Sequence, residues 1–350
     1  MFNASALPTG NTTNSITIDL AWFTIANATI LTNFGMALII LSKQLNKTVN
    51  ITVLTSMSFV GMLFAIIYLY PRLVIPDLND ISPLLCSILP QIGHFTIINL
   101  NFHVCLISLD KFYSVSAPFS YQKHATVKKA IVAIVVIWFI SVVITTLPLY
   151  TFRNIHESHK CISYSSDLQA ELIFQLFIYS TFFFLPLLII IVVYGRLIMI
   201  SCKITSKSMT ITVVSRQCNQ SHSRRAISTR NIVKNRKAIV QTAVIIGIFI
   251  VLQTPFVIAF LVIQLDLHPS ESDVLAIKIT RFLAFSYPGI NPLVYAYYTA
   301  DIKSAITRIF HRSLLPSQQQ HRVSKSFAMT PSTTLQLMAS IEHGRQDKAL

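Results

Sequence analysis

The sequence predicts an all-α membrane protein, a bundle of seven transmembrane helices followed by a short amphipathic eighth helix. Three observations point to this fold. Apolar residues gather in blocks near 20–42, 51–70, 84–109, 130–150, 172–200, 238–264 and 274–298, each long enough for the about 20 helical residues that cross a hydrocarbon core. Of the 350 residues, 53% are hydrophobic and only 12% charged, too few charges to cover a water-facing surface of that size. The net charge of +15 is gathered in loops on one side of the blocks. Soluble core helices seldom stay apolar all round for so long.

The first block follows a polar leader, residues 1–19, with no basic stretch ahead of the apolar run, so the first span reads as a retained signal anchor. The loop after it carries Lys43 and Lys47, and the loop after the third block Lys123, Lys128 and Lys129. The fifth loop is denser, from Arg196 and Lys203 through Arg224, Arg225, Lys234, Arg236 and Lys237, and no acid occurs between Glu171 and Asp266. Basic loops stay in the cytoplasm. The N-terminus is then outside and the C-terminus inside, as in a multi-pass plasma-membrane protein. Glycosylation sequons at Asn3 and Asn11 fall on the outer side, whereas those at Asn46, Asn50 and Asn219 fall in or beside cytoplasmic segments and go unused. Nucleic acid is not an expected partner, because the positive charges join apolar spans instead of lining an aromatic-studded soluble face.

Cys86 lies at the outer start of the third span and Cys161 in the outer loop between the fourth and fifth, both on the oxidising side, which makes them the natural disulfide pair. Cys105 is expected to be buried in the third span, and Cys202 and Cys218 are cytoplasmic thiols.

The third span closes with Ser108-Leu109-Asp110-Lys111-Phe112-Tyr113, followed by Pro118. Cys86 precedes Lys111 by 25 residues, a helical rise of about 37 Å, which suits one residue outside and the other inside. An ordinary interfacial Asp–Lys pair that snorkels is the plain alternative. The seventh span holds Asn291-Pro292-Leu293-Val294-Tyr295. Its proline frees a backbone carbonyl and can act as a hinge. Beyond it, Ile302, Ala305, Ile306, Ile309 and Phe310 recur at helical spacing among Lys303, Arg308 and Arg312, the pattern of a helix lying on the inner leaflet.

These motifs resemble the rhodopsin-like, class A G-protein-coupled receptors, which end their third helix with Asp-Arg-Tyr and carry Asn-Pro-x-x-Tyr in the seventh. Asn33 in the first span, Trp138 and Pro148 in the fourth, Pro186 and Tyr194 in the fifth, and Phe249 and Pro255 in the sixth fall where that family has its marks. The resemblance covers roughly residues 20–311, leaving 312–350 as a polar tail. It implies a receptor that passes an extracellular signal to heterotrimeric G proteins, with Asp110, Lys111, Phe112, Tyr194, Phe249, Pro255, Asn291, Pro292 and Tyr295 in activation and coupling. It implies no cofactor and no metal.

Departures from the family are equally specific. Lys111 stands for the usual Arg and Phe112 for the usual Tyr, so the charge is kept but the planar fork is lost. The acid that helps the family bind sodium in its second helix is missing, and Gly61 aligns there. Gln253 replaces the family's Trp two residues before Pro255, and Asn235, Arg236 and Lys237 occupy the stretch where an inner acid is expected. Two hypotheses follow: coupling with Lys111 standing in, or a non-coupling decoy, scavenger or dimer partner. A peptide receptor is a further alternative.

For the ligand, the position of the amine receptors' counter-ion Asp is Gly93, and that of the opsins' retinal Lys is Phe285. Both chemistries are disfavoured. Positive charge does occur in the outer half: Arg281 and Lys278 in the seventh span and Arg72 at the end of the second. Arg clamps carboxylate or phosphate through paired hydrogen bonds, and family members that sense small acids use an Arg near this level, so a small anionic ligand is expected. A structural ion pair with Asp77, Asp80, Glu171 or Asp273 competes with that reading. His94, Gln91, Tyr179, Gln253 and Gln264 are further pocket candidates, although a satisfied bundle histidine serves as well for His94. Asn99, Asn101 and His103 are expected to make interhelical hydrogen bonds.

The basic third inner loop suits acidic membrane lipids and the transducer. The tail, with Ser324, Ser326, Thr330, Ser332, Thr333 and Thr334, reads as disordered, and phosphorylation would offer an arrestin-type protein a docking charge. Transporter, pump and enzyme readings lack their mid-membrane charges, chromophore lysine or catalytic constellation.

Overall fold

The computed structural model describes residues 12–42, 48–71, 83–151, 168–200, 222–265 and 270–314. Its long helices are α1 (Thr12–Ser42), α2 (Val49–Phe64, continuing through a π turn at Ala65–Leu69), α3 (Pro83–Ser116), α4 (Val127–Thr151), α5 (from Leu168, with a π turn at Ser180–Phe184, to Ile200), α6 (His222–Leu265) and α7 (Glu271–Tyr298). A two-turn helix, Pro118–His124, follows α3. No strand occurs among the described residues.

Each helix contains its apolar block and most overrun it. α3 runs on to Ser116 past the block's end near 109, and α6 begins sixteen residues before 238. The reason is that hydropathy marks the lipid-facing length, while backbone hydrogen bonding continues into the polar flanks. By length and apolarity α1 to α6 each qualify as membrane spans. α7 is as long, at 28 residues, but it carries Lys278 and Arg281 and buries Tyr287, Asn291 and Tyr295. Tyr287, Asn291 and Tyr295 face the bundle, whereas Lys278 is exposed and Arg281 half-buried. α7 is started by a capping box: Ser270 accepts the Asp273 N–H, and Asp273 accepts that of Ser270 at 3.1 Å. α3 is central, with 67% of its most apolar window buried, and α4 peripheral, with 22%.

The chain divides into two compact units at Thr299 and Ala300. The second contains α8, Ala300–Leu314, the amphipathic helix expected from the sequence. The boundary drawn at 311 therefore falls inside this helix. Within it Arg308 folds back on Ser304, its guanidinium donating to both the backbone and the hydroxyl oxygen at 3.1 Å.

α1 packs on α2 and α7, α3 on α2, α4 and α6, and α6 on α7. The α1–α7 seam brings backbone close to backbone. A Cβ at Gly289 would lie 2.8 Å from Thr29 Oγ1 and 3.2 Å from Thr29 Cα. That close approach lets Thr32 donate to Gly289 O at 3.0 Å and Asn33 donate to Pro288 O at 2.9 Å. At the α1–α2 contact, a Cβ on Gly61 would sit 2.7 Å from Asn33 Nδ2.

Because backbone blocks the space at Gly289, Gly289→Val should push α1 from α7 at an overpacking cost of about 1–3 kcal/mol. A lowered thermal midpoint in detergent or nanodiscs is the expected result. Gly35, with nothing within 4 Å of its Cβ position, is the control, and Gly35→Ala should leave the midpoint unchanged or raise it. Equal midpoints for Gly289→Val and the parent would contradict the seam.

Candidate functional site

The half of the bundle where α3 and α7 begin is walled by aromatic rings. Phe285 on α7 meets Trp22, Phe64, Tyr68 and Phe256 at centroid distances between 5.2 and 6.0 Å. Phe256 continues to Phe260 on the next turn of α6, and Phe260 meets both Tyr179 and His94. Of the candidates from the sequence, His94 and Tyr179 are brought together: His94 Nδ1 lies 2.6 Å from the Tyr179 hydroxyl. Gln253 is buried and donates to Ala284 O on α7 at 3.0 Å. Gln91 is buried, Gln264 and Arg281 are half-buried and Lys278 is exposed. Lys278 and Arg281 thus stand in different surroundings on one helix. Arg72 and Cys161 lie outside the described residues, as do the side chain of Cys86 and the sequons at Asn3 and Asn11. Cys105 is a buried thiol, as expected.

Gly93 has a direct neighbour. A Cβ there would meet the Tyr68 ring at 3.4 Å, so an aromatic edge fills the space beside the residue that aligns with the amine counter-ion. Tyr68 was not singled out in the sequence, because nothing in an apolar run reveals which ring turns inward.

Deeper in, α3 supplies the expected interhelical bonds with partners that the sequence does not reveal. Asn101 donates to Phe182 O at 3.1 Å and Phe183 O at 3.0 Å. His103 Nδ1 is 2.8 Å from Asn99 O, which only accepts, so that nitrogen carries the proton. Its Nε2 then accepts from the Ser56 hydroxyl at 2.9 Å, and Ser56 accepts in turn from Trp138 Nε1 at 3.0 Å. Ser56 thereby links α2, α3 and α4. Phe249 is fully buried, with Phe183 on one side and Tyr287 at 5.3 Å on the other. Tyr287 donates weakly to Asn291 Oδ1 at 3.4 Å, and Asn291 Nδ2 reaches Met57 Sδ at 3.9 Å. Pro255 sits on the exposed face of α6.

At the C-terminal end of α3, Asp110 accepts from the Tyr121 hydroxyl at 2.9 Å, and Lys111 Nζ is 3.9 Å from its other oxygen. Burial, then the charge of Asp110, pushes the Tyr121 phenol well above its ordinary range, so it stays a proton donor. Tyr113 packs edge-on to Tyr121 and bonds Ser120 at 2.7 Å. The Pro118–His124 helix thus presents Tyr121 to α3, a pairing invisible in sequence because ten residues and a turn intervene. Phe112 is half-buried. Tyr194 on α5 donates to Ile239 O on α6. Tyr295 is fully buried and its hydroxyl has no partner among the described residues. Described side chains form no cluster able to hold a metal ion.

The Alpha-1A adrenergic receptor of Bos taurus is 24% identical over 263 residues, covering 67% of this chain and 54% of the relative. A D(5)-like dopamine receptor of Takifugu rubripes is 26% identical over 220 residues, with coverages of 59% and 47%. The 5-hydroxytryptamine receptor 1D of Rattus norvegicus is 22% identical over 334 residues, with 81% and 86%. The chain spans about half the length of the adrenergic and dopamine relatives it matches. A family model described as 7 transmembrane receptor (rhodopsin family) matches residues 32–295, from just before Asn33 to Tyr295 and so across the motifs described above, and the chain belongs to that family.

Proposed function

We propose that the protein is a plasma-membrane receptor, N-terminus outside, that transmits an extracellular ligand signal to heterotrimeric G proteins. The observation that carries this reading is the inner end of α3. Asp110 is held by Tyr121 while Lys111, 22% exposed at its side chain, keeps only a 3.9 Å contact with it. A cation so loosely held at the cytoplasmic mouth is available to a partner. Its flank, Lys123 to Lys129 together with the third inner loop, suits acidic lipids and a transducer surface. The hydroxyl-rich tail, once phosphorylated, suits an arrestin-type protein.

The second reading, a receptor that does not couple, is favoured by Lys111 itself. Ammonium lacks the bidentate fork of guanidinium. Reconstitution with each G-protein class decides between them. Coupling predicts measurable nucleotide exchange, reduced about tenfold or more by Lys111→Ala and raised by Lys111→Arg. Absence of exchange with every class, with Lys111→Arg equally silent, would leave the decoy reading.

Relatives named for dopamine and 5-hydroxytryptamine suggest an amine, but Gly93 and the Tyr68 ring against it leave no carboxylate at the corresponding place. We infer a small anionic ligand, with half-buried Arg281 as its clamp and His94, Tyr179, Gln91, Gln253 and Gln264 as further wall residues. Lys278, exposed on α7, adds positive charge on the same helix, and Arg72 is a further basic candidate from the sequence. Against an anionic agonist found by screening, Arg281→Ala should raise the half-maximal concentration about tenfold or more, as loss of a charged hydrogen bond of about 1.5–3 kcal/mol requires. Unchanged potency would assign Arg281 to a structural ion pair.

A further inference from the structure

Phe119, the second residue of the Pro118–His124 helix, is 89% exposed, more than any other large hydrophobic side chain among the described residues. The exposed apolar residues of α1 to α6 lie within membrane spans, but the span of α3 closes at Ser116 and that of α4 opens at Val127. Phe119 falls between them, at the level where hydrocarbon gives way to headgroups. The short helix cannot roll to hide the ring. Ser120 and Tyr121, about 100° apart on the helix, are held to α3 through Tyr113 at 2.7 Å and Asp110 at 2.9 Å. Phe119 and Lys123, one turn apart, are left on the face turned away. The surroundings are positive. Lys123, Lys128 and Lys129 are exposed, and none has an ion-pair partner among the described residues. No acid occurs between Asp110 and Glu157, and Asp110 is turned to Tyr121. Lys128 and Lys129 stand in the first turn of α4, which holds no acid, so they face the positive end of the helix dipole. Nothing inside the protein offsets that placement. Topology asks for lysines on one side of the bundle, but not for a bare ring among them.

We propose that the Pro118–His124 helix and the first turn of α4 form a docking surface for anionic lipid of the membrane that the bundle spans. Phe119 inserts just below the headgroups, and Lys123, Lys128 and Lys129 take the lipid phosphates and carboxylates. A ring beside cations is the composition that holds a helix in the interfacial plane. So few residues would anchor a free peptide weakly. Here both ends of the segment are already tied to membrane spans, so the contact forms at the high effective concentration of a linked site. An anionic surface also offsets the two lysines at the positive end of α4. The same helix carries Tyr121 to Asp110, so lipid that holds Phe119 keeps that hydrogen bond closed. This contact rests on the acidic-lipid reading of Lys123 to Lys129 and deepens it, whereas neither ligand identity nor coupling enters.

Depth measurements on the full-length protein in lipid nanodiscs test it. A spin label, itself an apolar side chain, is attached through Phe119→Cys in a background carrying Cys202→Ser and Cys218→Ser. Its collisions with dissolved oxygen are compared with those with a water-soluble nickel chelate. Exposed Leu188, within the α5 span, gives the hydrocarbon reference, and exposed Glu271, in the first turn of α7, the aqueous one. In discs of phosphatidylcholine mixed with phosphatidylserine the label at position 119 should read close to Leu188, and in phosphatidylcholine alone closer to Glu271. Lys123→Gln, Lys128→Gln and Lys129→Gln together should cut the inserted population in the anionic discs about tenfold or more, since each lysine near such a surface carries a preference of about fivefold. The third inner loop keeps its charges in that variant, so the loss is local to this helix. A label that reads as aqueous in both lipids would overturn the proposal, and shielding only on addition of a G protein would assign the ring to a protein partner instead. Insertion that is equal in both lipids and untouched by the lysine changes would overturn it as well, because the lysines then take no anionic headgroup.

Discussion

A proline inside a membrane helix strands the carbonyl four residues before it, and no water is at hand to take its place. Among the described residues that constraint is answered three times by a side-chain amide from a neighbouring helix. Pro186 strands Phe182 O, taken by Asn101; Pro288 strands Ala284 O, taken by Gln253; Pro292 strands Pro288 O, taken by Asn33. An unpaired buried carbonyl costs about 1–3 kcal/mol, so each amide ties a particular pair of helices at a particular height. α3 is tied to α5, α6 to α7 and α1 to α7. The aromatic wall and the glycine seams are packed around heights set by these bonds.

Neutral amides also explain how the core holds together without a central acid. Gly61 leaves room for Asn33, whose amide is spent on Thr29 and Pro288 carbonyls. On α7, Tyr287 fills space with a ring, contacts Phe249 and only weakly engages Asn291. A carboxylate at Gly61 would have to be desolvated against this apolar packing, at a cost of several kcal/mol unless an ion accompanied it. Glycine and tyrosine here are parts of one solution, a core closed by volume and neutral hydrogen bonds.

Much of this was legible from sequence because it rests on length and residue type. Apolar blocks give the spans, and the prolines with Asn33, Asn101 and Gln253 are visible as polar or breaking residues where neither is cheap. Their pairing is not visible. Asn101 and Phe182 are 81 residues apart, and nothing local says which helix face each presents. The π turn at Ser180–Phe184 was equally hidden, since its residues, Ser-Thr-Phe-Phe-Phe, are ordinary for an α-helix and the extra residue is stabilised by a partner elsewhere. At Gly93 the sequence shows that an acid is missing, but only packing shows that Tyr68 takes the space. α7 was readable as a span from its apolar block at 274–298, although the polar side chains it buries, Tyr287, Asn291 and Tyr295, make it less apolar than α1 to α6.

The departures at Lys111 and Gln253 are two expressions of the same redistribution. At the inner end of α3 the ionic contact is long, 3.9 Å, and Asp110 turns to Tyr121 instead. No acid is present on the inner stretch of α6 to hold Lys111. What fixes α5 and α6 relative to each other must then be neutral: the Tyr194 hydroxyl on the Ile239 carbonyl below, and the Phe183–Phe249 contact above. Gln253 adds an amide bond to α7 where a large indole would add only packing and a single N–H. Ion pairs at an aqueous mouth weaken with salt, whereas hydrogen bonds buried among helices do not. The resting arrangement of this bundle is therefore set in its middle, by amides and proline-freed carbonyls, and the charges at the end of α3 are left for whatever binds there.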